Sequence, residues 1–214
     1  MLVLSAWLSK NTCFSRVLKS RTLTLSRYVR MVDMKPIIKK GTRILRPVEA
    51  NQLISAIKKQ EHKVCFKTLL YTGMRYEECK SLYNHPEWFD GKFIHLLSTK
   101  KKATQDARWI RLNPLGQMVV EFYLSLDRGL PSRVTWYENL QRWSMHAGIG
   151  NEGISNKITR KTWESWLMFY YPNRVTEITL SQGHTDITQI KHYINLPFTD
   201  EDKSLMEPFV QGWI

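Results

Sequence analysis

From Arg46 onward nearly every segment of this sequence repeats its apolar residues at helical spacing. Only two runs, Phe93-Ile94-His95-Leu96-Leu97 and Arg108-Trp109-Ile110-Arg111-Leu112, read as strand. A Lys- and Thr-rich polar turn joins them, as an antiparallel hairpin requires. The chain is thereby limited to a mainly α fold with one small β-hairpin sheet. The first helix starts at Arg46-Pro47, where a first-turn proline precedes Val48, Leu53, Ile54 and Ile57. A second, about Glu61 to Tyr71, ends at Thr72-Gly73, with Gly73 placed to close it in a left-handed conformation. A third runs from near Arg75 to Leu82, and loops follow at Asn84, Pro86 and Gly91. Beyond the hairpin, helix patterns recur at Leu115–Leu126, Trp136–His146, Lys161–Tyr170, Val175–Ser181 and Thr188–Ile194, punctuated by Pro172, Gly183 and Pro197. The apolar stripe Leu205, Phe209, Val210 and Trp213 fits a tail helix that either completes the core or docks on a neighbouring protomer.

With 214 residues, 43% of them hydrophobic, the chain can build one well-cored domain and an extension. The formal charge of +13 favours a polyanionic partner, nucleic acid ahead of a membrane surface or an acidic protein. That charge is uneven. Residues 1–45 hold ten Lys or Arg against Asp33 alone, whereas residues 46–214 carry a net charge of only +4. The expected organisation is a basic, flexible N-terminal extension over 1–45 and a single body over 46–214. The extension would add salt-sensitive phosphate contacts to whatever basic face the body presents.

Cys13, Cys65 and Cys79 show no metal-ligand spacing and sit among helix-like residues, which fits reduced buried thiols in a cytoplasmic, DNA-associated protein. Met1 to Leu8 is far shorter than the ~20 apolar residues a membrane span needs. The Ser- and Arg-rich stretch Ser5 to Arg30 has the composition of an organellar transit peptide, but nothing else in the chain points to an organelle, and Met31 or Met34 are alternative starts.

Cleaving a phosphodiester without a metal requires a nucleophile held in line, cations on the non-bridging oxygens and an acid for the departing oxygen. Tyr193 can supply the first. Arg75 and Arg160 offer planar guanidinium forks, and Lys100, Lys101 and Lys102 put a primary amine on the hairpin turn. Each residue alone has a plainer explanation: an arginine in a surface ion pair, a tyrosine packed on a helix, lysines solvated in a turn. Their order and spacing carry the argument.

Thr72-Gly73-Met74-Arg75-Tyr76-Glu77-Glu78 resembles the first box of the tyrosine recombinase (phage integrase) family, and Lys157-Ile158-Thr159-Arg160 resembles its H-x-x-R box. Gly183-His184, with Tyr193 nine residues beyond the histidine, resembles its G-H box and nucleophile. The resemblance covers residues 46 to about 198. The segments Ser181–His184 and Tyr193–Thr199 look most like integrases of archaeal viruses and proviruses, that is, of mobile elements.

The resemblance implies that Tyr193 attacks a DNA phosphate to leave a 3′-phosphotyrosyl enzyme and a free 5′-hydroxyl, with no cofactor and no metal. Arg75 and Arg160 would hold the phosphate, Lys100 (or its neighbours Lys101 and Lys102) would protonate the leaving oxygen, His184 would donate to a phosphate oxygen, and Glu78 would brace the site. It also implies site-specific recombination, by integration or excision, on double-stranded DNA in a synapse of four protomers. A catalytically idle DNA-binding derivative, or relaxation of supercoils by a type IB topoisomerase, are the alternatives. Lys157 replaces the usual histidine of the second box, which removes the usual general base there but keeps a cationic donor in the catalytic set, and Gln182 replaces the frequent leucine before Gly183, which is expected to alter packing only. The separate DNA-clamping domain that usually precedes the catalytic domain does not fit within 45 residues.

Overall fold

The computed structural model describes residues 35–97, 107–184 and 196–213. The compact unit that holds the described helices begins at Pro36, ten residues earlier than expected, because Pro36 to Leu45 join the body. Strands β1 (Ile37–Lys39) and β2 (Thr42–Ile44) pair antiparallel, with Ile37 opposite Ile44 and both side chains buried. The two-residue turn between them, Lys40-Gly41, has positive φ at both positions (48° and 66°), the twist that matches paired strands. This second sheet is not foreshadowed by the sequence pattern. Strands of three residues are too short to show alternation, and the turn lacks the Asn-Gly or Asp-Gly pair that marks such hairpins.

Helix α1 (Pro47–Ala56) starts at Arg46, whose backbone N–H donates to the Glu49 carboxylate at 2.8 Å. Helix α2 (Gln60–Thr72) buries Val64, Cys65, Phe66 and everything from Thr68 to Thr72. The Thr68 and Thr72 hydroxyls donate back to the carbonyls of Val64 (2.9 Å) and Thr68 (2.6 Å), which is how a buried helix face keeps two threonines satisfied. Gly73 ends α2 in the left-handed region, as the sequence predicts (φ 62°). Helix α3 (Tyr76–Asn84) and a 3-10 turn (Pro86–Trp88) lead to the expected hairpin, β3 (Phe93–Leu96) against β4 (Arg108–Arg111), with Ile94 opposite Ile110 and His95 opposite Trp109.

The remaining α-helices among the described residues are α4 (Pro114–Leu124), α5 (Arg133–His146), α6 (Ile158–Tyr170), α7 (Val175–Gln182) and α8 (Asp200–Val210). Asn113 caps α4 by accepting from Gly116 N–H, and Ser132 caps α5 by accepting from Thr135 N–H. The expected helix over Thr188–Ile194 lies outside the described residues.

Helix α6 is the centre of the body. It packs against β2, α2, α7 and α8, and Trp163, Trp166 and Leu167 are wholly buried. Trp166 also donates its indole N–H to the Leu45 carbonyl (2.8 Å), so the β1–β2 hairpin and α6 are joined by polar as well as apolar contact. Around this core α4 lies on α2, and α5 on α1.

Of the two readings of the tail stripe, the described residues take the first. Helix α8 packs on α6 and α1 of its own chain, with Phe209, Val210 and Trp213 buried. Three donors fasten it: Asn113 to the Phe209 carbonyl (2.7 Å), Tyr171 to the Val210 carbonyl (3.0 Å) and the Trp213 indole to the Arg111 carbonyl (3.1 Å). A buried ion pair joins Arg46 to Asp202, and Arg46 also donates to the Pro197 carbonyl at 3.0 Å. Among the described residues no helix is long and apolar enough to cross a membrane.

Candidate active site

Two left-handed glycine turns bring the site together. Gly73 ends α2 and Gly183 ends α7, and Arg160, in the first turn of α6, reaches both. Its Nη1 donates to the Gly73 carbonyl at 2.8 Å and its Nη2 to the Gln182 carbonyl. The turns must be glycine for steric as well as torsional reasons. A Cβ on Gly73 would lie 2.4 Å from Gln182 Oε1 and 2.7 Å from Trp163 Cδ1, and one on Gly183 would lie 2.7 Å from Arg108 Cδ. Burial, reinforced by the Arg75 charge, lowers the Arg160 pKa to about 10, so the guanidinium remains a cation at neutral pH.

Arg75 follows the first glycine turn as the N-cap of α3. Its backbone N–H and its Nη1 both donate to Glu78, each at 2.7 Å. Arg108, from β4, places its whole fork on the same carboxylate, Nη1 to Oε1 at 2.9 Å and Nη2 to Oε2 at 2.7 Å, and donates Nε to the Ser181 carbonyl at 3.2 Å. Burial would push the Glu78 carboxyl up, but the Arg108 fork, and then Arg75, outweigh it and hold the group at about 2. Arg108 thus acts as the counter-ion of Glu78. It is the more enclosed partner (side chain 11% exposed), while Arg75, at 37%, keeps a face to solvent.

His184 comes directly after the second glycine turn, its backbone N–H donating to the Thr179 carbonyl at 3.1 Å. Its Nε2 lies 2.6 Å from Oε1 of Glu164, a wholly buried carboxylate one helical turn beyond Arg160 on α6. Lys157 is the exposed N-cap of α6, one turn before Arg160. Tyr193, Lys100, Lys101 and Lys102 lie outside the described residues. Among the sequence-predicted residues, then, Arg75, Glu78, Arg160 and His184 converge on the two glycine turns, with Lys157 at the rim. Among the described residues no group of three or more His, Cys, Asp or Glu could hold a metal ion.

Sequence reasoning missed Arg108 and Glu164. Arg108 shares the inward face of β4 with the buried Ile110, and a charged residue at that register position is a recoverable signal. Glu164 stands four residues after Arg160 between two buried tryptophans, where a carboxylate needs a cation. Gln182, expected to alter packing only, also presents the carbonyl that receives Arg160.

No family model matches the sequence, and no curated protein matches it. Solved structures do match in fold. The chain is similar to the crystal structure of XerA recombinase at a TM-score of 0.56 and 18% identity, covering 83% of this chain and 66% of that one. It is similar to XerH site-specific recombinase bound to difH substrate in a pre-cleavage complex (TM-score 0.53, 15% identity, 70% of this chain and 49% of that one). The post-cleavage complex of XerH with palindromic difH substrate also matches, at a TM-score of 0.50 and 14% identity over 82% of this chain and 54% of that one. The body therefore has the fold of tyrosine recombinase catalytic domains, mainly α with small antiparallel sheets. The chain spans about half to two thirds of the length of these recombinases.

Proposed function

We propose that this chain is a tyrosine recombinase that breaks and rejoins strands of double-stranded DNA at specific sites. The observation that carries the reading is the pairing of Arg160 and Arg75 across two glycine turns, on a recombinase fold, with His184 beside them. Arg160 is fixed by two backbone carbonyls and Arg75 by Glu78, so the cations are oriented before any phosphate arrives. Preorganised charge of this kind stabilises the extra charge of a phosphoryl transition state. Glu78 is itself neutralised by Arg108, which leaves Arg75 able to engage a second anion.

Tyr193 is the nucleophile in this reading. Its phenol oxygen releases its proton to solvent and bonds to phosphorus as the bond to the 5′-oxygen breaks, and a proton from Lys100, or from Lys101 or Lys102, reaches the leaving oxygen. The bond energy is kept in the phosphotyrosine, and a second 5′-hydroxyl reverses the step. His184 donates to a non-bridging oxygen, and Lys157 adds positive charge at the rim. Integration or excision of a mobile element through a four-protomer synapse is the corresponding biological event.

The test is a trapping assay on nicked duplexes bearing a randomised sequence library, with an SDS-resistant protein–DNA adduct as readout. Wild type should form the adduct and Tyr193→Phe should not. Wild type without any adduct across the library rejects the enzymatic reading.

A further inference from the structure

We infer that the β1–β2 turn, with Lys40 at its tip, is a phosphate-backbone contact for duplex DNA that extends the site along the N-terminal end of α6. Lys40 has φ 48°, and among the described residues it is the non-glycine with positive φ. Type I′ hairpin turns favour Gly, which has no Cβ, or Asn and Asp, whose short polar side chains hydrogen-bond locally and offset the strain that a lysine bears there in full. Strain held at a solvent-exposed tip, where another residue would relieve it, points to a use for the side chain.

The surroundings say which use. Lys161 donates its Nζ to the Lys39 carbonyl at 2.8 Å, which pins the turn against the first turn of α6. That turn carries Arg160 and Lys161, follows Lys157 and contains no acidic residue. Cations at a helix N-terminus oppose the helix dipole, so the arrangement concentrates positive potential where an anion is most strongly attracted. Burial lowers the Lys161 pKa, and the charges of Lys157 and Lys40 lower it further against the pull of Glu164, as expected of ammonium groups crowded together. The turn is also rigid: Arg43 N–H donates to the Gly153 carbonyl at 2.7 Å, Arg43 Nη1 to the Ile149 carbonyl at 2.6 Å, and its guanidinium pairs with Glu49. The turn thus holds the Lys40 ammonium in the same cluster of positive charge as Lys157 and Lys161, next to Arg160.

This inference rests on the DNA-cleaving reading, and its test separates the two. Lys40→Asn removes the charge and suits the turn; Lys40→Arg keeps the charge. Anisotropy with a labelled duplex between 50 and 200 mM salt should show Lys40→Asn binding roughly five- to tenfold more weakly at 0.1 M, with its log–log salt slope reduced by about 0.9, the value of one phosphate contact. Lys40→Arg should keep the wild-type slope. The Tm of Lys40→Asn should rise, since strain is relieved, and adduct formation at saturating protein should be unchanged. Wild-type affinity and slope in Lys40→Asn, or a fall in its Tm, overturns the inference. Absence of an adduct with wild type rejects the catalytic reading and leaves the salt slopes to decide this one.

Discussion

Glu78 illustrates how single residues set the chemistry. Its carboxyl is held at about 2 by two guanidiniums, against an ordinary value of 4.5. A depressed acid contributes stability above its ordinary pKa and loses it as pH falls through the folded value, so the contribution of Glu78 is full above about pH 5 and fades towards pH 2. Glu78→Gln should therefore cost roughly 2 kcal/mol at pH 7 and flatten the acid limb of a stability–pH curve from urea unfolding. A limb as steep as that of wild type would place the acid sensitivity elsewhere. Arg160 depends on shape as much as charge: a lysine cannot donate to the Gly73 and Gln182 carbonyls and to a phosphate in one plane. Arg160→Lys should lower the rate of adduct formation by roughly 10²-fold while duplex affinity changes little.

Among the elements, the two glycine turns are legible in the sequence itself, because a glycine that closes a helix ahead of a polar residue has few other meanings. The β3–β4 hairpin is legible for the same kind of reason, a change from helical to alternating period. The β1–β2 hairpin is hidden by its brevity, and the bonds of Arg108 and Glu164 by distance: Arg108 reaches Glu78 across 30 residues and the Ser181 carbonyl across 73. No local pattern encodes a partner so remote. The turns differ in what they tolerate. Gly183→Ala meets both the left-handed backbone and Arg108, whereas a Cβ on Gly91 would meet nothing within 4 Å. Gly183→Ala should lower stability by about 2–3 kcal/mol and abolish cleavage, and Gly91→Ala should cost about 1 kcal/mol and leave cleavage intact, as read by thermal unfolding and the adduct assay.

For the molecule as a whole, the tail helix is fastened to the start of the body by Arg46 and Asp202, both buried. Removing one member of a buried pair strands the other charge, so Asp202→Asn should cost about 3–5 kcal/mol by urea unfolding, well beyond the loss of an exposed pair such as Arg174–Glu177. A cost below about 1 kcal/mol would mean that the tail is held by its apolar contacts and the Asn113, Tyr171 and Trp213 hydrogen bonds without help from the ion pair.

The central position of α6 has a consequence for how the protein is made. The helix on which β2, α2, α7 and α8 all pack begins only at Ile158, and the ion pair closing the body spans 156 residues of chain. During synthesis the five described helices ahead of α6 can pair only among themselves, α4 on α2 and α5 on α1, and the β2 and α2 surfaces that meet α6 stay uncovered until its tryptophans follow. Closure then waits for α8. Folding is therefore expected to be late and cooperative, and slow for a helical protein of this size.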